Sequence, residues 1–244
     1  MLDNWASTWG MRFNPSKCQI LHIARVNKKT KFYQLCGEIL ETVSSAKYLG
    51  VIVSDDLQWR DQVSSSVKKA NSTLHLVARN FRNCSRHARS LAFTSLVRPK
   101  LEYCATVWDP YLERDKHALE MVNRRGARTV FNKGWRQSDV SPSALIKQLG
   151  WQTLAQRREE QRLCMMYKIA GGLIAIPPTR LQQPTRTTRG HPRKFNLIAS
   201  TTESVRNSFY LKTIPQWNNL TSDIVCAESF ESFKTKLHRA TSAQ

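Results

Sequence analysis

The chain lacks the features that would point to a membrane, a metal or a disulfide framework. Its six cysteines, at 18, 36, 84, 104, 164 and 226, include no Cys-x-x-Cys and no Cys-His cluster. Neither a zinc knuckle nor a stapled scaffold is suggested, and the expected setting is reducing and intracellular, nuclear or cytoplasmic. No apolar run approaches the roughly 20 residues that span a bilayer, and the opening, with Asp3 and no basic segment, does not read as a signal peptide. There is no Gly-rich phosphate loop, no His-Glu-x-x-His and no Gly-x-Ser-x-Gly elbow. The histidines (22, 75, 87, 117, 191, 238) are scattered and read as surface or packing residues.

Acid is the other scarcity. Asp plus Glu total 18 against 38 Lys plus Arg, a net charge of +20, which points to a polyanionic partner. Between Asp61 and Glu102 there is no acidic residue, yet Lys68, Lys69, Arg79, Arg82, Arg86, Arg89, Arg98 and Lys100 all fall there. A second acid-free window, Glu160 to Glu203, holds Arg162, Lys168, Arg180, Arg186, Arg189, Arg193 and Lys194. Like charges without counter-charges repel, and a polyanion relieves that repulsion. Arg124, Arg125 and Arg128 form a third group, where pairing with Glu120 and Asp115 competes with phosphate binding. The Lys28-Lys29-Thr30-Lys31 run reads as a solvated basic loop.

With 41% hydrophobic residues the chain can bury an ordinary core. Leu2, Trp5, Ala6 and Trp9 share one helical face, and Gly10 supplies the stop. Strands are expected at Cys18 to Ala24, Phe32 to Leu35 and Tyr48 to Val53, around a basic loop from Asn27 to Lys31. Val63, Val67, Ala70, Leu74, Val77 and Phe81 then keep helical spacing, which leaves Lys68, Lys69, Arg79 and Arg82 on the flanks, available to phosphates. Further helices are expected at Arg86 to Val97, stopped before Pro99, at Arg114 to Phe131 with a tolerated Gly126, at Pro142 to Leu149 and at Leu154 to Ala170. Trp108, Trp151 and Trp217 read as core. Glu159-Glu160 beside Arg157-Arg158 suits pairing along the helix face.

The fold class is therefore mainly α with a small N-terminal α+β segment. The expected organisation is an α+β segment at 1–60, a helical domain at 61–172, a Pro-, Arg- and Thr-rich basic linker at 173–203 and a small C-terminal unit at 204–244 ending in a short helix after Ser229.

Landmarks in a fixed order carry a resemblance: Trp9 with Met11-Arg12-Phe13-Asn14 and Lys17-Cys18; Lys47-Tyr48-Leu49-Gly50-Val51; Leu96-Val97-Arg98-Pro99 with Leu101-Glu102-Tyr103-Cys104; Val107-Trp108-Asp109-Pro110; Arg124-Arg125-Gly126-Ala127-Arg128; Leu149-Gly150-Trp151; and Trp217-Asn218-Asn219-Leu220. The series resembles the C-terminal portion, from the end of the palm through the thumb, of the reverse transcriptases of LINE-type non-LTR retrotransposons. The resemblance implies that Tyr48, Leu49 and Gly50 form a primer-grip-like strand. It also implies that the following helices form a thumb along RNA, DNA or an RNA–DNA heteroduplex, held by backbone and shape without sequence preference.

Polymerisation needs converging carboxylates to hold two metal ions. In the family these lie upstream of the Trp9 to Lys17 segment. Asp55-Asp56 lies downstream of it and reads as a turn complementing the next helix's dipole. The expectation is a fragment with no catalytic residue and no metal site, Mg2+ belonging to a core outside it and the palm and fingers portion being a further partner. Such a chain does not polymerise DNA alone. Two alternatives stay open: a host-retained RNA- or DNA-binding module, and a non-enzymatic interaction protein. Strands from Cys18 to Ala24 without palm neighbours would present an exposed edge.

Overall fold

The computed structural model describes residues 2–23, 31–132, 140–176, 181–185 and 190–242. It is mainly helical, about 55% helix and 8% strand, with a small α+β segment at the N-terminus. Two compact units are present, Met1–Gln62 and Val63–Gln244.

In the first unit, α1 (Leu2–Thr8) ends at Gly10, whose φ of +63° gives the left-handed turn expected of it. The face expected to be buried is not: Ala6 is buried, but Trp5 and Trp9 are 48% and 67% exposed. Trp5 meets the Phe13 ring at 6.2 Å. Among the described residues six short strands pair in twos. β1 (Gln19–Leu21) runs parallel to β4 (Glu41–Val43), while β2 (Gln34–Leu35) pairs antiparallel with β3 (Glu38–Ile39), and β5 (Ser45–Tyr48) with β6 (Val51–Ser54).

Tyr48 to Val53 is thus not one strand. The chain reverses at Leu49-Gly50, both with positive φ (45° and 87°), in a two-residue hairpin loop. The reversal was hidden because its first residue is leucine, which enters the left-handed region at a cost of roughly 1–2 kcal/mol. The Gln62 side-chain oxygen accepts the Ile52 N–H at 2.9 Å, tying this hairpin to the start of the following helix. The expected strand end at Ala24, the Lys28-Lys29-Thr30 run, Pro177-Pro178, Arg180, Arg186 and Arg189 lie outside the described residues.

The second unit is built on α2 (Arg60–Asn80), whose Val63, Ala70, Leu74 and Val77 are buried while Val67 and Phe81 are half-buried. After Ser85, whose hydroxyl caps Ala88 N–H, α3 (Arg86–Ala92) continues through a π-helical turn (Phe93–Val97) into α4 (Arg98–Glu102). Pro99 therefore does not stop the helix. A proline lacks its N–H and crowds the preceding turn, and the widened turn just before it accommodates both defects.

Next come α5 (Glu113–Val130), α6 (Pro142–Gln148) and α7 (Leu154–Ala170), the last opened by a Thr153–Gln156 capping box. Gly126 of α5 is required rather than tolerated: a Cβ there would lie 2.1 Å from Cε2 of Phe93, which itself stacks on Trp151 at 4.6 Å. The C-terminal segment forms α8 (Glu203–Arg206), α9 (Phe209–Asn218), α10 (Ser222–Val225) and α11 (Phe230–Ser242). Leu163, Met166 and Tyr167 of α7 share one core with Phe195, Ile214, Trp217, Phe233 and Leu237, so residues from 61–172 and 204–244 are packed together. Trp108 and Trp217 are fully buried and Trp151 half-buried.

Candidate nucleic-acid interface

Two helical repeats bring cations together. On α2, His75, Ala78 and Arg79 follow 3- and 4-residue steps and so share one face, which Arg82 continues in the turn just after the helix, and on α5 the same spacing holds for Arg125, Arg128 and Thr129. The two faces, with Leu74, line a groove of about 520 Å3. Four arginines and one histidine border it, and among the described residues no carboxylate lines it. The Arg125 guanidinium is oriented across the groove by a hydrogen bond from Nη1 to Asn71 Oδ1 at 3.2 Å. Among the described residues no ion pair holds Arg79 or Arg82, both exposed. Lys68 lies seven residues before His75 and extends the same helical face, while Lys69 is exposed on its flank.

The other expected phosphate ligands lie elsewhere. Arg86 is exposed with its guanidinium 4.5 Å from the centre of the Phe131 ring. Arg89 has a packing role: Nε donates to the Val130 carbonyl at 2.9 Å and Nη1 to the Arg82 carbonyl at 3.0 Å, joining the end of α5 and the turn after α2 to α3. Arg98 is half-buried, and burial, with Arg157 nearby, holds its pKa below the usual guanidinium range against the pull of Glu102. Lys100 is exposed on α4 and Arg124 half-buried on α5. Tyr48 and Leu49 form the hairpin tip with Gly50 and are 71% and 76% exposed.

The Arg157-Arg158 and Glu159-Glu160 group does not pair along its own helix as expected. Arg157 binds Glu102 through Nε and Nη2, Arg158 and Arg162 turn to Asp109, and Glu160 receives Gln152, His238 and Thr241. These pairs join separate elements, an arrangement that the local spacing does not carry. Asp55 donates its N–H to the Ser44 carbonyl and Asp56 Oδ1 accepts the Gln58 N–H at 2.8 Å, so both aspartates belong to the turn after β6. Among the described residues no three His, Cys, Asp or Glu side chains gather as metal ligands, and no helix is long and apolar enough to cross a membrane.

Sequence reasoning found the four groove arginines as members of two separate groups. It missed His75, Ala78 and Thr129, and it missed that the groups converge. The 3- and 4-residue steps linking them to the arginines were the available signal. Comparison with family models, curated proteins and solved structures finds no match.

Proposed function

We propose that this chain grips nucleic-acid backbone without reading sequence, as the thumb-like portion of a LINE-type reverse transcriptase. The observation that carries the binding reading is the groove lined by Arg79, Arg82, Arg125 and Arg128, with no carboxylate lining it among the described residues. Guanidinium forks match phosphate oxygens, and four arginines lining one groove serve a polyanion better than charges spread for solubility. The ordered series of motifs from Trp9 to Leu220 supports the family reading, and the exposed hairpin at Tyr48-Leu49-Gly50 fits a primer-grip-like role. Polymerising carboxylates are not part of the proposal, and the activity assigned to this chain is binding alone.

Filter binding of a labelled duplex across a salt series tests it. If the four arginines each neutralise one phosphate, log K falls against log salt with a slope of about −3.6 on B-form duplex. A slope near zero, or no binding at low ionic strength, removes the reading.

A further inference from the structure

We propose that the groove between α2 and α5 accepts an unpaired nucleotide of a single-stranded nucleic acid, its base on the apolar floor and its phosphate among the arginines. The inference rests on the backbone-binding reading above and narrows its ligand class.

Phosphates of a duplex lie on the outside of a broad cylinder and are met by cations along its backbone. Depth and an apolar floor add nothing to such contacts. Here the apolar lining residues are Leu74, only 4% exposed, and Ala78, whose side chains cannot hydrogen-bond, while the Thr129 hydroxyl beside them donates to the Arg125 carbonyl. His75, exposed on the same helical face, adds a planar ring. An apolar floor beside a planar ring surrounded by cations is the chemistry that takes a base by its face and the adjoining phosphate by its charge.

Size and access agree. The volume of about 520 Å3 falls within the range of roughly 300–1,000 Å3 typical of small-ligand sites. A base in a duplex has its faces covered by its neighbours in the stack and its Watson–Crick edge by its partner. Only an unstacked base can lay a face on Leu74 and Ala78. Arginines line it from both sides, Arg79 on α2 and Arg82 in the turn after it, Arg125 and Arg128 on α5, so a phosphate held there has guanidiniums from both segments beside it.

Fluorescence anisotropy with a labelled oligothymidylate and with a blunt DNA duplex of the same length, at matched salt, tests the inference. The single strand is expected to bind about ten-fold more tightly than the duplex. Ala78→Leu, which fills the floor without changing charge, brings the ratio of the two affinities toward one. His75→Ala, at an exposed position, lowers the same ratio. Equal, salt-sensitive binding of both probes by the wild-type chain overturns this inference and leaves the backbone-binding reading standing. An unchanged ratio in both variants also overturns it. Absence of salt-sensitive binding to either probe overturns both.

Discussion

Replacing Asp109 with asparagine removes the carboxylate on which Arg158, Arg162 and Lys212 converge, while leaving the side chain's size unchanged. Asp109 Oδ2 receives Nη1 of Arg162 and Nζ of Lys212, the latter at 2.5 Å, and Oδ1 lies 3.9 Å from Nε of Arg158. The side chains are 12% exposed for Asp109, 3% for Arg158 and 4% for Arg162, so water can do little to screen the cations. Nε of both arginines is already without a hydrogen-bond partner among the described residues, so the cluster has no spare acceptor. Burial holds the Lys212 amine below the usual lysine pKa even with Asp109 beside it.

Breaking a buried ion pair by removing one partner costs about 3–5 kcal/mol, because the remaining charge stays buried. For a folded unit of this size each kcal/mol shifts the melting temperature by roughly 2–4 °C. Asp109→Asn is therefore expected to lower it by about 6–20 °C. Asp223→Asn is the control: its bond to Lys236 sits at the surface, with Asp223 75% exposed, and such pairs contribute only about 0–1 kcal/mol. Thermal denaturation followed by circular dichroism gives the melting temperatures of both, and urea denaturation their free energies. An Asp109→Asn variant within about 1 kcal/mol of wild type would refute the claim that this carboxylate ties the loop after α4 to α7 and α9.

Three further outcomes are expected. Gly126→Ala destabilises the protein by about 1–3 kcal/mol despite alanine's better helix propensity, because the new methyl group overlaps the Phe93 ring; the urea midpoint reads this out. Iodoacetamide at about pH 8, followed by peptide mass spectrometry, labels exposed Cys36, Cys84 and Cys226 well before Cys164. Burial pushes the Cys164 thiol up to about 11, leaving it on the order of a thousandth ionised. His191 is 1% exposed, with Nε2 bonded to the Trp217 carbonyl and Nδ1 accepting the Arg193 N–H, and burial lowers its pKa below 6.5. The unfolded chain thus binds the proton more readily, so this residue's contribution is present above about pH 6.5 and is lost as pH falls toward the folded value. Denaturation midpoints of wild type and His191→Gln across that window should converge on acidification.

The long helices were legible because periodicity is local. The buried stripe of α2 and the extents of α5 and α7 follow from spacing that needs no knowledge of the rest of the chain. Gly126 could not be read the same way, since its necessity comes from Phe93 on another helix. The continuation through Pro99 depends on a widened turn that leaves no compositional mark, and the reversal at Leu49-Gly50 lacks the Asn or Asp that announces a tight hairpin. Arg157 and Arg158 had acidic neighbours in sequence, yet their partners are Glu102 and Asp109, about fifty positions away. The candidate site shows the same division: its cations were visible as two basic groups, and only the packing of α2 beside α5 makes them one groove.

The central claim is that position, not net charge, makes the binding surface. Binding of a labelled oligothymidylate by Arg79→Glu/Arg82→Glu is therefore best compared with binding by Lys147→Glu/Arg239→Glu, an equal charge change at exposed residues outside the groove. The groove variant is expected to lose affinity by about ten-fold or more with a shallower salt slope, and the outside variant to stay close to wild type. Equal losses in the two variants would contradict the account.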